Sequence, residues 1–310
     1  MTLSVRETEA CPRCGGDLRA YGRVWTCRAC GAGGGPVQLL ASGGMSVADA
    51  ADRLGLLLCP PRRTALLLRA ARLLFARSLG VNRAAREFLE RRGIHPGTAR
   101  EFRLGATLPP GELVRKLRSR GFTVEEMCEA GLLGKTARGY REQLTGRLVI
   151  PLTSPGGYIL GFAGRALEED RLPKYLNTAT SPLGGRSSTL FGLPQAAPDI
   201  RERGEAWVVE GYFDVMACWQ AGIRWAVAPC GVALSARQAV ILRRYASRAV
   251  ILYDGDAATD VLARASRNLR KAGINVFVSR LPTGMDPDEV ILQEGPMALM
   301  DIASLVEVLS

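Results

Sequence analysis

Histidine is almost missing from this chain: one residue, His95, among 310. It lies in the loop-like stretch Arg91-Arg92-Gly93-Ile94-His95-Pro96 ahead of a helical run, where a structural role is expected. No Ser-His or Cys-His pair can be drawn, which removes histidine-dependent nucleophilic catalysis and any histidine-rich metal site. Lysine is scarce, with 4 residues against 37 arginines, and aromatics make up 6%. There is no uncharged apolar run of about 20 residues, as a membrane-spanning helix needs. The most apolar stretch, Thr64 to Gly80, is broken by Arg69, Arg72 and Arg77. The N-terminus lacks the apolar segment of a secretory signal. A cytoplasmic protein without membrane contact is therefore expected. At 47% apolar and 23% charged residues, composition excludes collagen-like, low-complexity and disulfide-scaffold classes.

What is present is charge, unevenly placed. The net charge is +11. Residues 61–200 hold 23 basic and 12 acidic side chains, whereas residues 201–310 hold 12 and 13. A basic middle beside a near-neutral, acid-containing third is the balance of a polyanion-binding protein with an acidic metal site. Codon bias explains arginine over lysine but not the asymmetry.

Four cysteines form two pairs, Cys11-x2-Cys14 and Cys27-x2-Cys30, with 12 residues between the pairs and glycine after each. This spacing fits one structural zinc ion held by four thiolates in a ribbon. Around it, Arg23, Trp25 and Arg28 suit contact with a single-stranded template; for Trp25 a place in the ribbon core is the alternative. Cys59, Cys128, Cys218 and Cys230 stand at apolar positions and read as core thiols.

Helices are expected after Ser46, from Thr64, from Asn82, and over Gly111–Phe122 and Thr123–Leu133, with Pro60-Pro61-Arg62-Arg63 as a linker. Thr123 and Glu126 have capping-box spacing. From Arg147 the apolar period changes. Arg147–Thr153 and Tyr158–Leu167 read as strands around a Ser154-Pro155-Gly156-Gly157 turn. After Ile200, strands and helices alternate, which implies a parallel sheet covered on both faces with its ligand site at the carboxyl ends of the strands. The fold class is α/β, or α+β over the whole chain.

Acids sit at three of those strand ends: Glu210, with Asp214 one helical turn on; Asp254-Gly255-Asp256; and Asp286-Pro287-Asp288-Glu289. Gathered carboxylates repel and raise one another's pKa. A hard cation with oxygen ligands, Mg²⁺ or Mn²⁺, resolves that conflict, and two such ions suit phosphoryl transfer.

Three segments now carry a resemblance: Glu210-Gly211-Tyr212-Phe213-Asp214, Asp254-Gly255-Asp256-Ala257-Ala258 and Leu281-Pro282-Thr283-Gly284-Met285-Asp286-Pro287-Asp288-Glu289. They resemble the signatures of a TOPRIM domain, and more narrowly those of bacterial and phage DnaG-type DNA primases. Gly146–Pro151, Gly161–Arg165, Pro173–Asn177 and Phe191-Gly192-Leu193 resemble further primase signatures, in the same order. The resemblance implies a zinc ribbon at 1–42, a helical linker at 43–80, a basic subdomain at 81–199, a TOPRIM domain at 200–292 and a helical tail at 293–310. It implies catalysis at Glu210, Asp254 and Asp256. Metal would be held by these with Asp286 and Asp288, supported by Asp214. It implies nucleic-acid or nucleotide contacts at Arg147, Arg165, Lys174, Tyr175, Asn177 and Arg186, the last standing where the family has a lysine. For the basic residues, solvated surface positions are the alternative.

The implied activity is DNA primase: a DNA-dependent RNA polymerase that makes short primers on single-stranded DNA from nucleoside triphosphates. A TOPRIM nuclease and a non-catalytic single-strand-binding module are the rival readings. Four departures stand out. The ribbon has four cysteines where many cellular primases have a histidine. Thr259 and Asp260 replace a glycine and a basic residue. The chain stops about 20 residues past Glu289, so the usual domain that binds a replicative helicase is expected to be missing. The stretch 40–80 carries no segment that resembles a signature of the family.

Overall fold

The computed structural model describes residues 18–21, 24–29, 33–34, 62–137, 139–168, 170–178, 181, 183–231, 233–255 and 258–306. The chain divides into two compact units, Met1–Cys59 and Pro60–Ser310.

In the first unit, β1 (Leu18–Tyr21), β2 (Val24–Cys27) and β3 (Gly33–Gly34) form an antiparallel sheet in the order β1-β2-β3, with Leu18 opposite Cys27 and Trp25 opposite Gly34. Cys27 thus closes β2, and Arg28 lies exposed in the turn that follows. Cys11, Cys14, Cys30, Arg23, Cys59 and the helix expected after Ser46 lie outside the described residues, as does Asp256.

The second unit opens with α1 (Arg62–Val81), α2 (Arg83–Arg91) and α3 (Pro96–Glu101), then β4 (Gly105–Ala106), α4 (Glu112–Arg118), α5 (Val124–Glu129) and a hairpin of β5 (Leu133–Thr136) and β6 (Gly139–Glu142). Asn82 caps α2 by accepting from Ala85 N–H at 3.0 Å, and Thr123 with Glu126 forms the capping box of α5. The expected linker differs from the structure from Arg62 onward. That residue begins α1, Arg63 pairs with Glu126, and Leu67, Leu68, Ala71, Leu74 and Phe75 are buried in the core. Of the arginines that interrupt the apolar run, Arg69 and Arg77 are exposed and Arg72 is half-buried at the margin, so the inner stripe stays continuous.

Next come β7 (Arg147–Thr153), β8 (Ile159–Ala166) and β9 (Tyr175–Asn177), which with β4 form an antiparallel sheet in the order β4-β7-β8-β9. Successive side chains of a strand point to opposite faces. Leu148, Ile150 and Leu152 enter one core while Val149 enters the other, with Phe162 and α1. Two cores, one on each face, explain why these strands read as uninterrupted apolar runs. Phe75 meets Phe162 edge-on at 5.2 Å, and its backbone lies against Gly105. A Cβ on Gly105 would lie 2.6 Å from that of Phe75, so only glycine lets the helix approach the strand this closely.

The rest is a five-stranded sheet: β10 (Leu190–Phe191), β11 (Glu205–Val208), β12 (Ala226–Pro229), β13 (Arg248–Ile251) and β14 (Asn275–Val278), in the order β10-β12-β11-β13-β14. The helices are α6 (Leu193–Arg203), α7 (Tyr212–Gln220), α8 (Ala236–Leu242), α9 (Thr259–Lys271), α10 (Pro287–Glu294) and α11 (Pro296–Ser304). Four strands are parallel, as expected, but β10 is antiparallel to β12 and α6 runs across position 200. A two-residue edge strand has too little pattern to be read from sequence. Thr259 in place of glycine does not prevent α9, which starts there. Cys218 and Cys230 are buried. No helix among the described residues is long and apolar enough to cross a membrane.

Candidate active site

The chain leaves β11 for β12 on one side, then returns across β11 to β13 on the other. Right-handed crossovers place α7 on one face and α8 with α9 on the opposite face. The crevice between the carboxyl ends of β11 and β13 is therefore the switch point, where α/β sheets bind ligands. Glu210 and Asp254 leave those two strands, and Glu210 Oε1 accepts from the Asp254 N–H at 3.2 Å. Asp214 lies in the first turn of α7, buried, and its Oδ2 accepts from the Gly211 N–H at 2.7 Å. Asp286 caps α10: its Oδ1 accepts from Glu289 N–H at 2.8 Å, and Glu289 accepts in return from the Asp286 N–H at 3.3 Å. Pro287 at the first helical position is preset for this start. Asp288 follows in the first turn and is 7% exposed.

Burial pushes Asp214 well above the ordinary carboxylate range, and Asp286, Asp254 and Asp288 push it further. Burial raises Asp288 as well, with Asp286 adding to it and Arg92 opposing; Asp286 is raised chiefly by burial. The structure thus brings Asp214, Asp254, Asp286 and Asp288 within electrostatic reach of one another. An all-carboxylate, mutually repelling donor set fits a hard cation. Among the described residues, no three Asp, Glu, Cys or His converge as they would around an ion. Glu210, Asp214 and Asp286 accept from backbone N–H groups, and Asp288 accepts from Arg92.

Arg92, which no sequence signal marked, follows α2. Its guanidinium lies 3.3 Å from Asp288 and 5.4 Å from the centre of the Phe213 ring. It ties the first subdomain to the acid edge. Because Arg92 is 39% exposed, the pair is worth only about 1 kcal/mol, with the ring contact adding a similar amount. Arg92→Ala is expected to lower the thermal midpoint by about 2–4 °C per kcal/mol lost. Calorimetry checks this, and an unchanged midpoint would show that the contact does not form in solution.

Of the basic residues, Arg165 comes nearest to an anion receptor. It is 9% exposed, its guanidinium lies 5.0 Å from the Tyr175 ring centre and 5.8 Å from that of Phe88, and its buried Nε has no hydrogen-bond partner among the described residues. Tyr175 meets Tyr212 edge-on at 5.6 Å, and the Tyr212 hydroxyl donates to Asn177 Oδ1 at 3.5 Å. The segments Pro173–Asn177 and Glu210–Asp214 are therefore adjacent, with Tyr212 as the joint. Asn177 also donates to the Cys230 carbonyl. Lys174 and Arg186 are exposed. Arg147 departs from the groove position expected for it. It is 3% exposed and donates to the carbonyls of Gly164 and Lys174 at 3.2 and 3.1 Å. Starting a strand covered on both faces, it braces the turn that presents Lys174. His95 contributes only backbone here: its N–H donates to Gln220 Oε1 at 2.8 Å.

A sheet of this order with acids at its switch point defines a Toprim-like unit. Residues 207–291 match the Toprim-like family, and residues 74–197 match the family described as DNA primase catalytic core, N-terminal domain. The chain is 40% identical over 222 residues to the DNA primase of Aquifex aeolicus, covering 71% of this chain and 45% of that protein. It is similar to the crystal structure of the zinc-binding and RNA polymerase domains of the A. aeolicus primase, at 34% identity and a TM-score of 0.75, covering 94% of this chain and 76% of that one. It is also similar to the RNA polymerase domain of Mycobacterium tuberculosis primase DnaG in complex with a double-stranded DNA oligomer with a 6-nucleotide overhang. There the identity is 32%, the TM-score 0.71 and the coverage 79% and 81%. The chain belongs to the bacterial DnaG-type DNA primase family. It spans less than half the length of the curated A. aeolicus relative.

Proposed function

We propose that this chain is a DNA primase, a DNA-dependent RNA polymerase that makes short primers on single-stranded DNA by metal-dependent nucleotidyl transfer. The observation that carries this is the meeting of the acid edge with Arg165, Tyr175 and Asn177 across Tyr212, within a chain of the primase family. The primer's 3′-hydroxyl gives up its proton to solvent and its oxygen bonds to the α-phosphorus of the incoming nucleotide, while the α–β phosphoanhydride bond breaks and pyrophosphate leaves. Divalent cations held by Glu210, Asp254, Asp256, Asp286 and Asp288 would supply activation of the hydroxyl and neutralisation of the triphosphate. Asp214 supports that set by fixing the start of α7. Arg165 binds a phosphate through its guanidinium, which its ring contacts hold in place. Lys174 and Arg186 extend the positive surface along the template and nucleotide path. Positioning and electrostatics do the catalytic work, with no side-chain nucleophile.

The test is synthesis itself: purified chain, labelled ribonucleoside triphosphates, mixed-sequence single-stranded DNA and Mg²⁺ or Mn²⁺, resolved on a gel. Short products that depend on template and metal are expected. A shortened template would replace this reading with a nuclease, and intact, bound template without products would replace it with a binding module.

The reading includes one structural zinc on Cys11, Cys14, Cys27 and Cys30, with Arg23, Trp25 and Arg28 facing template. The donor set and spacing suit zinc, and Cys27 ends a strand of an antiparallel meander. Metal analysis of the purified chain is expected to give about one zinc per chain, released on thiol modification. Cys27→Ser is expected to lose it. Full zinc content in that variant would remove Cys27 from the ligand set.

A further inference from the structure

Charge in residues 201–310 is balanced in number, 12 basic against 13 acidic, but not in place. The acids of the site leave the carboxyl ends of the parallel strands. The cations gather at the opposite edge, where helices end and strands begin. Arg201 and Arg203 end α6, Arg224 precedes β12, Arg243, Arg244 and Arg248 lie between the end of α8 and the start of β13, and Arg270 and Lys271 end α9. Glu202 and Glu205 stand among them in sequence, and Glu205 pairs with Arg248 at 2.8 Å.

Cations at helix ends answer the helix dipole, and that accounts for part of the pattern. It does not account for Arg224 and Arg248, which lie outside any helix, nor for the stacking. Arg203 lies 3.7 Å from the Trp225 ring centre, Arg201 4.5 Å from that of Tyr245, Arg248 4.3 Å from that of Phe277 and Arg224 5.1 Å from that of Trp219. A guanidinium held on a ring keeps its hydrogen-bonding edge directed outward and loses little freedom on meeting a phosphate. The pairs follow the strand order β12-β11-β13-β14, which spans about 14 Å at the usual strand spacing.

We infer that the amino edge of this sheet is a second single-stranded nucleic-acid contact, which grips phosphates of the template on the side of the sheet away from the acids. The inference rests on the proposed handling of single-stranded DNA but not on catalysis. An acidic protein segment is the less suited partner, because guanidinium groups are stacked on the rings that its apolar side chains would need.

The test compares the full chain with Arg203→Gln/Arg224→Gln/Arg243→Gln, none of which touches the acid site. Anisotropy of a labelled single strand of about 30 nucleotides is read over a salt series, without divalent cations or nucleotides. Affinity is expected to fall about tenfold. The slope of log K against log salt is expected to become shallower by about 2, at roughly 0.7 for each phosphate no longer neutralised. Should the triple variant unfold, Arg224→Gln alone is expected to reduce the slope by about 0.7, since it changes one exposed loop residue. Folded variants with wild-type affinity and slope would overturn the inference. So would variants that lose binding to polyglutamate while keeping the DNA slope, which would assign the edge to an acidic protein. Because binding alone is read, a wild-type chain that makes no primers leaves this outcome intact.

Discussion

Asp254→Asn is expected to reduce primer synthesis by about 10³-fold, the scale of removing one fixed electrostatic interaction with a transition state. The change keeps size and removes charge. Asp254 stands at the switch point, its N–H donates to Glu210, and it is one of the charges that hold Asp214 in its raised state. The amide relieves repulsion among the remaining acids, so the variant is expected to be at least as stable as the wild type. Loss of rate with stability retained separates this role from a packing role. Parallel gels and melting curves check both. A variant that keeps wild-type rate would take Asp254 out of the chemistry.

Gly255→Ala is expected to be nearly as damaging to synthesis, for a different reason. The Gly255 N–H donates to the Met285 carbonyl at 3.2 Å, which pins the loop after β13 to the loop that carries Asp286 and Asp288. A Cβ at Gly255 would collide with the Pro282 carbonyl oxygen and lie 2.7 Å from its carbon and 2.8 Å from the Leu281 oxygen, all backbone atoms. Neither loop can yield without moving an acid. Overpacking of this kind costs about 1–3 kcal/mol. The midpoint should therefore fall by about 2–4 °C per kcal/mol, and synthesis should fall with Asp254 and Asp288 both present. If Gly255→Ala retains full rate, the two loops move independently and the close approach does not position the site.

These two residues also mark what was legible in the sequence. The acids at three strand ends could be read directly, because alternating strand and helix patterns put strand termini on one edge. The need for glycine between Asp254 and Asp256 could not, because it arises from backbone 27 residues further along the chain. Arg92 and Asp288 are 196 residues apart in sequence, and neither has a neighbour that points to the other. Arg147 shows the opposite difficulty. The family resemblance implies a groove position for it, yet its guanidinium reaches two carbonyls within its own sheet. The long strands β7 and β8 and the capped helices α2 and α5 were legible because several local signals agree there. The two-residue strands β4 and β10 and the six-residue α3 were not, because packing rather than pattern forms them.

On the proposed reading, Glu210, Asp254, Asp286 and Asp288 together hold a divalent cation. Titration of the zinc-loaded chain with Mn²⁺, read as loss of the free-ion electron paramagnetic resonance signal, tests it without reference to activity. Saturable Mn²⁺ binding is expected in the wild type and is expected to be lost in Asp254→Asn/Asp288→Asn, with the fold intact. A wild type that binds no Mn²⁺, or a double variant that binds as the wild type does, would contradict it.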